Sequence, residues 1–92
     1  MKNLKHTMVD KTTLLLNPNS LTSVTQILQA MLSSYTTRGI HLKFVNPPVG
    51  PPSIGDPMTS VLSAAASWEY LEDEGLLNDK AIAGVIACCC QL

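Results

Sequence analysis

Hydrophobic and polar positions alternate in blocks that change period along the chain. Thr12-Thr13-Leu14-Leu15-Leu16 is a short apolar run with β-branched residues at its start, and Asn17-Pro18-Asn19-Ser20 ends it with turn-forming chemistry. This pattern predicts a buried strand and a tight turn. From Ser20, a candidate N-cap, the apolar residues Leu21, Val24, Ile27, Leu28, Met31, Leu32 and Tyr35 recur at helical spacing, and Gly39 follows as a stop signal. Ile40, Leu42 and Phe44 then alternate with His41 and Lys43, the period-2 pattern of a strand at or near a sheet edge.

Residues 46–55 contain four prolines, which fix φ and remove backbone donors, so a stiff loop is expected there. Asp56 followed by Pro57 reads as an N-cap and a first helical residue. Met58, Val61, Leu62, Ala65, Trp68 and Leu71 continue that helix as its packed side, ending near Gly75. Ala81-Ile82-Ala83-Gly84-Val85-Ile86-Ala87 is almost wholly apolar, as expected of a central parallel strand covered on both faces.

Strand, helix, strand, helix, strand in this order predicts an α/β fold: a βαβαβ unit with a three-stranded parallel sheet and right-handed crossovers. Ligands of such sheets bind beyond the carboxyl ends of the strands. The turn 17–20, the loop 46–55 and Cys88 to Cys90 all belong to that rim. If the first and third strands are neighbours, Asn17 and Cys88 stand side by side there.

Composition narrows the possibilities. Six basic and seven acidic residues give a formal net charge of −1, which makes nucleic acid an unexpected partner. Residues 1–11 read as a flexible arm without the apolar core of a secretory signal, and no stretch reaches the roughly 20 apolar residues that span a bilayer. A cytoplasmic protein without membrane association is the expectation. The three cysteines are adjacent, so they suit neither a disulfide framework nor the paired spacing of a zinc site.

Several residues carry alternative readings. A thiol at a strand end facing a helix amino terminus can act as a base near neutral pH, yet Cys88 can equally be a small core hydrophobe. Asn17 and Asn19 suit a turn and helix cap, or the anchoring of a substrate carboxylate beside the unpaired N–H groups of the first helix. Ser53 in the proline-rich loop could do likewise. Glu69, Glu72, Asp73 and Glu74 read as a solvated face at the opposite end of the sheet from the rim, and His6 and His41 as solvated. Cys89-Cys90-Gln91-Leu92 matches a prenylation box in outline, with Gln91 in place of an aliphatic residue and no basic stretch before it.

With these segments placed, the chain resembles the Asp/Glu/hydantoin racemase superfamily, in particular its hydantoin and allantoin racemase branch. Leu16-Asn17-Pro18-Asn19-Ser20 is similar to that family's opening motif, Gly50-Pro51-Pro52-Ser53-Ile54 to its second loop, and Val85-Ile86-Ala87-Cys88 to its strand ending in cysteine. The resemblance runs from residue 12 to 90. It implies half of a racemase-type domain, acting on amino acids, hydantoins or related acids by cysteine acid/base proton transfer at Cα, with no cofactor and no metal. Cys88 would then be catalytic, and Asn17, Asn19, Ser53 and Cys89 would hold the substrate. Gly55 departs from the family's usual glutamate, and Cys89-Cys90-Gln91 from its usual aromatic, small residue and aspartate. The family's second cysteine has no counterpart here, so residues 12–92 are expected to form a truncated domain, inactive alone, that self-associates through an exposed sheet edge. The competing expectation is a non-catalytic α/β module that pairs with another chain.

Overall fold

The computed structural model describes residues 11–36 and 41–88. Five regular elements follow one another: β1 (Thr12–Leu16), α1 (Thr22–Thr36), β2 (Leu42–Val45), α2 (Pro57–Asp73) and β3 (Ile82–Ala87), with a 3₁₀ turn at Leu76–Asn78 between the last two. The three strands form one parallel sheet in the order β2-β1-β3. This is the α/β arrangement that the alternation of elements predicts.

The triple-leucine run makes β1 the central strand. Leu14, Leu15 and Leu16 are all buried, and Leu14 and Leu16 join Val45, Leu71 and Leu76 in the core, with Tyr70 and Ile82 packed against them. Parallel register sets Leu16 beside both Val45 and Ala87. Side chains alternate between the faces of a strand, so these three share the face that α2 covers.

Three sequence expectations are corrected by this packing. β3 occupies an edge instead of the centre: five of its six residues are exposed, because β1 takes the middle position and neither helix reaches over the far side of β3. Of the apolar stripe of α2, only Leu71 is buried in the core. The buried residues of the helix are Ser63, Ser67 and Leu71, whereas Met58, Val61, Leu62 and Trp68 are exposed, Trp68 by 59%. Small side chains let the helix approach the end of β1 closely, and the Ser67 hydroxyl donates to the Pro18 carbonyl at 3.4 Å. The third correction concerns the start of α1 at Thr22: Ser20 does not cap it but donates its hydroxyl to the Gly50 carbonyl at 2.8 Å.

The other boundaries follow local chemistry. Asp56 caps α2 in a reciprocal box with Thr59, and Gly75, at φ 70°, turns the chain out of the helix in a conformation that disfavours a side chain. Ile40 and Gly39, expected at the start of β2 and the end of α1, lie outside the described residues, as do the arm 1–10 and Cys89 to Leu92. Among the described residues no helix is long and apolar enough to cross a membrane.

Candidate functional site

The rim at the carboxyl ends of the strands is organised by Asn17. Its backbone N–H donates to the Val45 carbonyl at 2.9 Å, extending the ladder one step past β1. Its side chain is fully buried. The amide Nδ2 donates to the Leu21 carbonyl at 3.2 Å and to Thr25 Oγ1 at 3.1 Å, while Oδ1 accepts from the Asn19 N–H at 3.0 Å. Thr25 passes the network on by donating to Asn46 Oδ1 at 2.8 Å, and Asn46 donates to the Pro47 carbonyl at 3.1 Å. Every strong hydrogen-bonding direction of Asn17 is thereby engaged, because an unpaired amide buried this deeply would be costly. The residue shapes the rim instead of presenting its carboxamide to the outside.

Cys88 enters from the neighbouring strand. Its N–H donates to the Leu16 carbonyl at 2.7 Å, so it follows the Leu16–Ala87 pair as Asn17 does on β1. Continuing the alternation places Cys88 with Asn17 and Asn46 on the α1 side of the sheet. The thiol is half-buried, with Sγ 4.0 Å from the Ile86 carbonyl oxygen. Asn19 adds a polar atom of a different kind: Oδ1 is buried and accepts no hydrogen bond. A buried acceptor without a donor is uncommon in folded proteins and marks a place where a ligand N–H or a water can bind.

The proline-rich loop closes the third side. Ser20 reaches it twice, through its hydroxyl to Gly50 and through its N–H to the Pro51 carbonyl at 3.0 Å. Gly50 has φ 116°, and a Cβ built there would stand 2.9 Å from the Ala66 side chain, so glycine is required both by conformation and by the close approach to α2. Ser53 is exposed on the outer part of this loop. The structure therefore brings Asn17, Asn19 and Cys88 together, and leaves Ser53 at the surface. Cys89 lies outside the described residues.

Two residues of this site were not singled out by sequence reasoning. Thr25 and Asn46 complete the Asn17 network, and no spacing rule connects positions 21 residues apart on a helix and a strand end. Among the described residues, grooves flank α2 on two sides. One, about 370 Å³, lies between α2 and the ends of β1 and β3 and includes Leu16, Ser63, Trp68 and Ala87. Ser63 is fully buried there and its hydroxyl lacks a partner. The other, about 280 Å³, sets Pro48 and Val49 against Glu69, Tyr70, Asp73 and Glu74, so the loop descends from the rim to the acidic end of α2. Desolvation, then the Glu74 carboxylate, raises the Tyr70 phenol above its ordinary pKa and keeps it neutral. Among the described residues no group of three or more His, Cys, Asp or Glu side chains converges as a metal site would require.

No protein-family model matches this chain, and neither the curated proteins nor the solved structures contain a significant match.

Proposed function

We propose that this chain is an α/β unit of the Asp/Glu/hydantoin racemase type, in which Cys88 serves as one acid/base group for proton transfer at the Cα of an amino acid or a cyclic derivative such as a hydantoin. The observation that carries this reading is that Cys88 and Asn17 both directly follow the paired Leu16 and Ala87 at one rim, the Cys88 N–H donating to the Leu16 carbonyl. The Asn19 Oδ1 acceptor supports it, since an amine or imide N–H is what such an atom would hold. Asn17 has a positioning role in this scheme. No cofactor takes part.

The chemistry is one-sided within this unit. The thiolate takes the Cα proton, the C–H electron pair moves into the adjacent carbonyl as an enolate, and the resulting thiol returns a proton to the same carbon. All three cysteines of the sequence lie in one run, so these residues supply no second, separate cysteine for the opposite face of the planar intermediate. Proton exchange without inversion is the expected behaviour of these 92 residues. In D2O, an L-5-substituted hydantoin or an L-amino acid incubated with the chain should gain deuterium at Cα while optical activity persists. Replacing Cys88 by alanine should slow the enzyme-dependent exchange by about a hundredfold or more. Exchange that survives C88A unchanged, or its absence with both substrate classes, would overturn the assignment. Cytoplasmic location belongs to the same proposal.

A further inference from the structure

Ser63 departs from the pattern of the hydroxyls on α1. There the Ser33 hydroxyl donates to the Ala30 carbonyl at 3.2 Å and Thr36 Oγ1 to the Ser33 carbonyl at 2.6 Å, the local bonds that such residues ordinarily make in helices. Ser63, in the middle of α2, is fully buried and its Oγ has no partner. A buried hydroxyl without a hydrogen bond is destabilising and uncommon, and this one borders the groove of about 370 Å³ between α2 and the ends of β1 and β3. Trp68, Leu16, Ile54, Leu71 and Ala87 line the same groove, and none of its lining residues carries a charge. The groove on the other side of α2 differs in this respect, since Glu69, Asp73 and Glu74 border it.

We propose that the uncharged groove is a binding site for a small, neutral aromatic molecule with one hydrogen-bonding substituent, a phenol being the simplest. Each part of that description follows from a lining group. An ion would lose hydration here without meeting an opposite charge, so the ligand is neutral. The indole of Trp68 offers a flat π-face against which a ring packs. An apolar cavity of about 150 Å³ already holds benzene, so a groove of this size takes one ring with its substituents. Ser63 Oγ donates to or accepts from the substituent, which gives the hydroxyl the partner it lacks within the chain. A purely apolar occupant, such as a leucine side chain of another protein, would leave that hydroxyl unpaired. Leu16 and Ala87 lie on the face of the sheet that α2 covers and Cys88 on the other, so occupancy of the groove does not require the thiol.

Trp68 is the only tryptophan in the sequence, so its indole N–H gives a single signal in nitrogen–proton correlation spectra of the full chain. Titration with p-cresol should move that signal saturably. Toluene, which lacks the hydroxyl, should bind about fivefold more weakly, the ratio that one hydrogen bond typically confers, and p-toluate, ionised at neutral pH, should not bind. Ser63→Ala removes a hydroxyl that holds no bond, so this variant should keep the far-UV circular dichroism of the parent, bind toluene as the parent does and bind p-cresol no better than toluene. Ala64→Phe, at an exposed helix position bordering the groove, should fill it and abolish the response to both. Absence of a saturable movement with p-cresol overturns the proposal. So do equal affinities of the parent for p-cresol and toluene, a Ser63→Ala chain that retains the preference, p-toluate binding as tightly as p-cresol, or binding that survives Ala64→Phe. An affinity for p-cresol that falls as the protein concentration rises would place a second copy in the groove and overturns it as well.

Discussion

Asn17 shows how one side chain can determine a rim. It is fully buried and its amide bridges the turn, the first turn of α1 and, through Thr25, the end of β2. Truncation to alanine would take the side-chain acceptor from the Asn19 N–H and leave the Leu21 carbonyl and Thr25 Oγ1 with one partner fewer each. Each such loss costs about 1 to 3 kcal/mol, and a net destabilisation of about 3 kcal/mol is expected for Asn17→Ala. The urea midpoint should fall accordingly; a midpoint equal to that of the parent would show that the network contributes nothing to stability. An Asn-Pro-Asn-Ser sequence announces a turn, but whether its amide faces inward or outward depends on Thr25 and Asn46, which only the folded chain brings near.

At the scale of elements, α2 is the instructive case. Both its ends were legible, because capping is local chemistry: Asp56, Pro57 and Thr59 lie within four residues of one another. The Asp56 carboxylate is held below its ordinary pKa by the Thr59 backbone N–H first and the Thr59 hydroxyl second. A depressed folded pKa means that the cap stabilises the helix above the unfolded value of about 4, and that this contribution disappears as the pH falls through the folded value. Acid titration followed by far-UV circular dichroism should therefore show a loss of helix below about pH 4 that is smaller in Asp56→Asn, which keeps an acceptor but cannot titrate. Identical acid profiles for parent and variant would rule out this role. The face of α2 was not legible. Periodicity identifies a stripe and not the direction it points, and here Ser63, Ser67 and Leu71 are buried while Met58, Val61, Leu62 and Trp68 stay exposed. β3 misled for a related reason: an uninterrupted apolar run predicts burial, but strand order decides which run is central, and order is not written in either strand alone.

For the molecule as a whole, topology was readable because alternating strands and helices leave few right-handed parallel solutions. The size of the core was not. Among the described residues only Leu14, Leu15, Leu16, Val45, Leu71 and Leu76 form the buried apolar set. A domain of this length ordinarily holds about 5 to 14 kcal/mol of stability, and so small a core places this one toward the lower bound. Leu14→Ala, at a fully buried position in the centre of the sheet, should cost about 3 kcal/mol. Thermal unfolding of that variant should lose its cooperative transition or begin near room temperature; a melting curve like the parent's would mean that the core is larger than these six side chains.

Gly50 joins these scales. A single hydrogen atom occupies the gap between the loop and Ala66, and the same residue's carbonyl receives the Ser20 hydroxyl. The turn after β1, the loop after β2 and the middle of α2 thus share one pivot. Displacing any of the three would disturb the contacts of the other two, so the arrangement of this part of the rim rests on the one residue there that has no side chain.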